Sequence, residues 1–142
     1  MLSVQQLLDQ KPKGIFSVAP TDPVLTAIKK MAEHHVGALL VMNGDKLVGI
    51  ISERDYARKI ILQNRSSAET PVRDIMSSPV ITVRLEDSTD ACMRICTDRR
   101  VRHLPVVDGG KVVGVLSIGD LVKAVINAQT QEIEQLQRYI AG

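Results

Sequence analysis

The chain has 142 residues, 44% of them apolar and 24% charged, with a formal net charge of +2. This composition excludes a disordered chain, and the length allows one ordinary core or two small half-domains that share one. No apolar run approaches the ~18 residues of a membrane span, the N-terminus lacks a basic-then-apolar leader, and the charge is too small to point to nucleic acid, so a cytoplasmic protein suited to small anions is expected.

Aromatic residues make up 2% and Trp is absent, so the core must come from Val, Ile, Leu, Met and Ala. Residues 2–10 place Val4, Leu7 and Leu8 at helical spacing behind a Ser3 cap. Ile15 to Val18 reads as a strand. Thr21 or Asp22 then reads as the N-cap of a helix with Pro23 at its first position, running to about His34 and burying Leu25, Ile28 and Met31. Val36 to Met42 is an apolar strand closed by Asn43-Gly44, a turn pair that suits a hairpin, and Leu47 to Ile51 is the returning strand. A helix is expected from Ser52 to about Leu62, followed by a polar linker from Gln63 to Glu69.

The pattern then repeats. Thr70-Pro71 opens a short helix through Met76, Val80 to Val83 reads as a strand, and a helix runs from Glu86 to about Arg99. His103 to Val107 and Val112 to Leu116 form a second hairpin around Asp108-Gly109-Gly110, and a last helix starts at Ser117 and continues past Ile126 to Ile140. Its apolar stripe suits a dimer contact. Cys92 and Cys96, one helical turn apart, read as buried free thiols rather than a metal or redox pair.

An ungapped offset of 65 residues relates the halves: Asp9 falls on Asp74, Val18 on Val83, Asp22 on Asp87, Leu39 on Leu104 and Lys46 on Lys111. At the same offset Gly49-Ile50-Ile51-Ser52-Glu53-Arg54-Asp55 falls on Gly114-Val115-Leu116-Ser117-Ile118-Gly119-Asp120. A duplicated unit follows, each copy too small to bury its own sheet alone. A lone Ser-x-x-Asp is most simply a helix-capping box. Its recurrence after two Gly-led apolar strands favours a ligand role, because a carboxylate accepts from two adjacent ribose hydroxyls at once.

Three sets of residues carry a resemblance to the tandem cystathionine-β-synthase (CBS) domain pair, or Bateman module. They are Asp74-Ile75-Met76 with Pro79-Val80, the run Arg100 to Asp108, and the two Gly-apolar-apolar-Ser-x-x-Asp stretches. The resemblance covers about Leu8 to Ile126. It implies a mixed α/β (α+β) fold of two pseudo-twofold-related β-α-β-β-α units packed sheet to sheet. Residues 1–64 would form one unit with an N-terminal helix, and residues 65–142 the other with a C-terminal helix. It further implies a homodimer and clefts that bind adenosine-containing ligands: AMP, ADP or ATP, with NAD and S-adenosylmethionine as further candidates.

By that resemblance one site combines Ile50, Ser52 and Asp55 with Val80, Ile81, Val101, His103 and Pro105. The other combines Val115, Ser117 and Asp120 with Ile15, Phe16, Val36 and Ala38. The first copy departs from the pattern at Gln10-Lys11-Pro12, where the second has Ile75-Met76-Ser77, and at Ala38-Leu39-Leu40, where the second has His103-Leu104-Pro105. On that asymmetry the Asp55 site is ranked first, with His103 as its cation and Arg102 beside it as a phosphate partner. Arg54 and Arg58 are weaker candidates that an exposed helix face explains equally well, and the Arg99–Arg102 cluster on its own is most often a solvated helix end. His34 and His35 have no companion in metal-ligand spacing, neither Ser-x-x-Asp stretch holds a His base, and no Walker or Rossmann glycine pattern occurs, so no catalytic residue, metal or catalytic cofactor is expected. The reading is a regulatory module that signals to an effector protein. The rivals are a ligand-free structural or interaction module and, last, a nucleic-acid binder acting through the arginines.

Overall fold

A computed structural model describes residues 2–11 and 14–141; Pro12, named above, lies outside them. The elements in chain order are α1 (Val4–Asp9), β1 (Ser17–Val18), α2 (Val24–His34), β2 (Ala38–Asn43), β3 (Lys46–Ser52), α3 (Glu53–Tyr56), α4 (Thr89–Arg99), β4 (His103–Asp108), β5 (Lys111–Ser117) and α5 (Ile118–Ala141). A π-helical turn, Ala57–Ile61, extends α3, and a 3-10 turn covers Val72–Asp74. The architecture is mixed α/β with two small sheets. Contacts group the chain into a continuous unit, Gly14–Ile81, and a split unit, Met1–Lys13 with Thr82–Gly142. That grouping differs from a cut at 64/65, because the segment leading into each repeat packs on the other repeat's hairpin.

In the continuous unit β1 runs parallel to β2 and β2 antiparallel to β3, with Ala38 opposite Ser52 and Leu40 opposite Ile50. Gly44 takes a positive φ in the two-residue turn that fixes this register. Val18, Val24, Ala27, Met31, Leu39, Val41, Ile51, Ile60, Val72 and Ile75 form its core. The buried stripe of α2 is therefore Val24, Ala27 and Met31, with Leu25 and Ile28 only half-buried. Pro23 is the N-cap itself rather than the first helical residue. The first free amides of α2 are taken by backbone, Val24 N–H by the Thr70 carbonyl at 2.9 Å and Leu25 N–H by that of Ser67 at 3.0 Å. The Asp22 carboxylate instead accepts from Ala19 N–H. The polar stretch after Leu62 thus serves as a cap for α2, and the short helix expected over 70–76 tightens to the 3-10 turn.

The split unit repeats this plan. β4 and β5 pair antiparallel, with His103 opposite Ser117 and Pro105 opposite Val115. The strand expected at Val80–Val83 reduces to a single parallel bridge between Val83 and Val106, the counterpart of Val18 with Val41. Val4, Leu7, Val83, Cys92, Cys96, Leu104, Val106, Leu116, Leu121 and Ala124 are buried. α5 buries only its first turns, and Ile126, Ile133, Leu136 and Ile140 are exposed. Among the described residues no helix is long and apolar enough to cross a membrane.

The offset of 65 holds for helices and hairpins but fails for the lead segments. Val72 N–H donates to the Asp22 carbonyl and Val4 N–H to that of Asp87; Arg73 N–H donates to Pro20 and Gln5 N–H to Leu85. Val4 therefore stands for Val72 and Gln5 for Arg73, an offset of 68, and the match of Asp9 with Asp74 is a coincidence of sequence.

Candidate ligand-binding sites

Each Ser-x-x-Asp sits where an apolar strand becomes a helix, and a glycine three residues before the serine lets the lead segment close over the strand. A Cβ on Gly49 would collide with Met76 Sδ, and one on Gly114 would lie 2.7 Å from Leu8 Cδ2. Leu8 is thereby the structural counterpart of Met76, again at an offset of 68. The earlier pairing of Gln10-Lys11 with Ile75-Met76 is corrected accordingly.

Both stretches form a reciprocal cap. Asp55 N–H donates to Ser52 Oγ at 3.2 Å while Ser52 N–H donates to Asp55 Oδ2 at 2.9 Å; Asp120 N–H donates to Ser117 Oγ at 3.1 Å while Ser117 N–H donates to Asp120 Oδ2 at 2.8 Å. Each such cap contributes about 1 kcal/mol and fixes the carboxylate at the helix start. Both caps load Oδ2. An ionised carboxylate offers about four lone-pair positions, so capping leaves acceptor capacity on Oδ1. The capping role and a ligand role are compatible.

The surroundings of the two carboxylates differ. Asp55, with 13% of its side chain exposed, receives Ser77 Oγ at 3.4 Å on Oδ1 and has Lys59 Nζ at 3.5 Å. Lys59 also donates to the Ile75 carbonyl at 2.9 Å, which ties it down. Asp120 is paired with Lys11, whose Nζ lies 2.7 Å from Oδ2 and 2.6 Å from the Val115 carbonyl. Burial raises the Asp120 pKa, but the Lys11 hydrogen bond and charge together with the Ser117 amide and hydroxyl outweigh it and hold the carboxyl below its ordinary value.

His103 faces Ser117 across the hairpin, and residues facing each other in an antiparallel pair project to one side of the sheet. Within the split unit its carboxylate neighbour is therefore Asp120. Burial lowers the His103 pKa, as do Lys11 and Arg102, against an opposing effect of Asp120. These effects disfavour the charged imidazole. Lys11 is the residue that the sequence reading missed, although the departure at Gln10-Lys11 was its signal.

The other predicted residues divide between the units. Ile15, Phe16, Val36, Ala38, Ile50, Val80 and Ile81 lie in the continuous unit with Asp55; Val101, Arg102, Pro105 and Val115 lie in the split unit with Asp120. Pro105 is buried opposite Val115, Ile50 exchanges backbone hydrogen bonds with Ser77, and Ile15 is exposed. Phe16 stacks on His34, the ring centroids 3.8 Å apart. Arg54, Arg58, Arg99, Arg100 and Arg102 are exposed, as solvated helix faces and ends would be. Cys92 and Cys96 are buried free thiols, and burial, aided by Asp87 and Cys96, pushes the Cys92 pKa up to about 11.

Comparison with known proteins matches the CBS domain model twice, over residues 12–62 and 72–127. The chain belongs to the CBS domain family. A mitochondrial CBS domain-containing protein of Arabidopsis thaliana is 46% identical over 126 residues, 85% of this chain and 61% of that protein, so the chain spans about three fifths of that relative's length. Among solved structures, a protein with CBS domains from Burkholderia ambifaria MC40-6 shares 53% identity at a TM-score of 0.87, covering 90% of this chain and 96% of its own. A CBS domain protein from Pyrobaculum aerophilum, solved complexed with AMP, shares 28% identity at a TM-score of 0.74, covering 84% of this chain and 89% of its own.

Proposed function

We propose that this CBS protein is a regulatory module that binds adenosine-containing ligands through Asp55 and Asp120 and reports its occupancy to an effector protein. The observation that carries this reading is the repeated cap, which holds a carboxylate at each helix start through Oδ2; a ribose diol would bond Oδ1, at Asp55 by displacing the 3.4 Å contact from Ser77. The AMP complex of the P. aerophilum relative supports AMP as the first ligand to test. ADP, ATP, NAD and S-adenosylmethionine follow because they share the adenosine. In this reading Ile50, Val80, Ile81, Val101, Pro105, Val115, Ile15, Phe16, Val36 and Ala38 supply apolar and backbone contacts to adenine. Ser52, Ser117, His103 and Arg102 contribute polar ones. The work of these sites is binding in a cytoplasmic setting, not catalysis.

A homodimer is part of the proposal. Val122, Ile126, Ile133, Leu136 and Ile140 are exposed on α5, and with Gln129 they recur at alternating steps of four and three residues, the spacing of a two-helix seam. The same face favours the second reading, an interaction module that works without a ligand. A thermal-shift screen separates the two. A ligand at 100 times its Kd adds about 2.7 kcal/mol of stability, so at least one adenosine compound should raise Tm by several degrees. No shift with any of them at millimolar concentration would favour the ligand-free module.

A further inference from the structure

The connection from Leu8 to Ile15 is three residues longer than its counterpart from Met76 to Val80, and the longer connection carries Lys11. In the continuous unit the Ile50 carbonyl accepts from Ser77 N–H at 2.9 Å, and Asp55 sees the uncharged Ser77 hydroxyl. The counterpart carbonyl in the split unit, that of Val115, accepts instead from the Lys11 ammonium, which also reaches Asp120. A neutral pair of donors in one unit is thus replaced in the other by a cation on a flexible stem. Lys11 uses two of its three N–H donors here and keeps 32% of its side chain exposed, so it is free to turn.

We infer that Lys11 makes the Asp120 site selective for phosphorylated adenosine ligands over the bare nucleoside. In the unliganded chain it neutralises Asp120; when the ribose hydroxyls take the carboxylate, it turns to the ligand's phosphate. A neutral nucleoside must take Asp120 from Lys11 and leaves the ammonium without a counter-charge, whereas a phosphorylated one brings the counter-charge with it. Among the described residues no other side-chain cation is hydrogen-bonded to this carboxylate. Burial disfavours the charged form of the His103 imidazole, and Arg102 stands exposed in solvent. At Asp55 the lysine, Lys59, stands farther from the carboxylate, at 3.5 Å, and its hydrogen bond goes to the Ile75 carbonyl.

The inference rests on Asp120 being a ribose-binding carboxylate, and the test keeps the two apart. In an Asp55→Asn background, so that the Asp120 site reports alone, calorimetric titration with adenosine and with AMP is run with Lys11, Lys11→Met and Lys11→Arg. Lys11→Met is expected to shrink the preference for AMP about tenfold, or 1.4 kcal/mol, while adenosine binds as well or better. Lys11→Arg retains most of the preference. An unchanged preference, or equal weakening of both compounds, overturns the selectivity role while leaving the site intact. If the Lys11 protein binds neither compound, Asp120 is not a ribose site and both readings fall.

Discussion

Asp120→Asn keeps the shape of the side chain and removes its charge. The carboxylate accepts from Ser117 N–H at 2.8 Å and from Lys11 at 2.7 Å. A hydrogen bond to a charged group is worth about 1.5–3 kcal/mol and a partly exposed ion pair below ~1 kcal/mol. Asparagine keeps a weaker cap through its amide oxygen, and Lys11 is solvent-accessible enough to be hydrated when unpaired, so the net cost at pH 7 is about 1–2 kcal/mol, a fall in Tm of about 3–8 °C. The pH dependence fixes the cause. A carboxyl whose folded pKa lies below its unfolded value adds stability that is complete above the unfolded value and lost as pH falls through the folded one. The advantage of the parent over Asp120→Asn should therefore be full at pH 7 and shrink below about pH 4. Thermal unfolding followed by circular dichroism at pH 7, 5 and 3 measures it. Equal Tm values at pH 7, or a difference of the same size at pH 3, would refute the charge-based argument.

Three further outcomes follow from packing and exposure. Leu116 is 0% exposed in β5, so Leu116→Ala should cost about 2–5 kcal/mol in urea unfolding; a loss below 1 kcal/mol would show that the site collapses around the gap. Gly49→Ala places a methyl on Met76 Sδ and 3.2 Å from the Ser77 carbonyl oxygen, a cost of about 1–3 kcal/mol that Met76→Ala in the same chain should partly relieve. Cys92 and Cys96 should resist a thiol reagent at pH 8 in the folded chain and react on unfolding, and rapid native labelling would contradict their burial.

The hairpins were legible because short apolar runs meet at glycine-bearing turns; the register shifts at Val41/Met42 and Val106/Val107 carry no such local signal. Val80 to Val83 misled because a run of β-branched residues looks like a strand whether or not a partner edge reaches it, and here only Val83 is bridged. The start of α2 slipped because Pro23, expected inside the helix, is its N-cap, and the free amides of Val24 and Leu25 donate to carbonyls far along the chain. For the site, the caps at Ser52 and Ser117 were readable from local spacing. The placement of His103 on the side of the Ser117 cap was readable in principle from the hairpin register. The contacts of Lys11 were not readable, although its departure from the repeat was. Its bonds to Val115 and Asp120 span 104 and 109 residues, and the offset of 65 concealed the longer connection that brings it there.

The central claim is that the two capped carboxylates are the ligand-binding groups. It is tested most directly by calorimetric titration of AMP into the parent chain and into the Asp55→Asn, Asp120→Asn double variant, with folding verified by circular dichroism. The account predicts saturable binding to the parent and none to the folded double variant. Binding of equal affinity by both chains would contradict it.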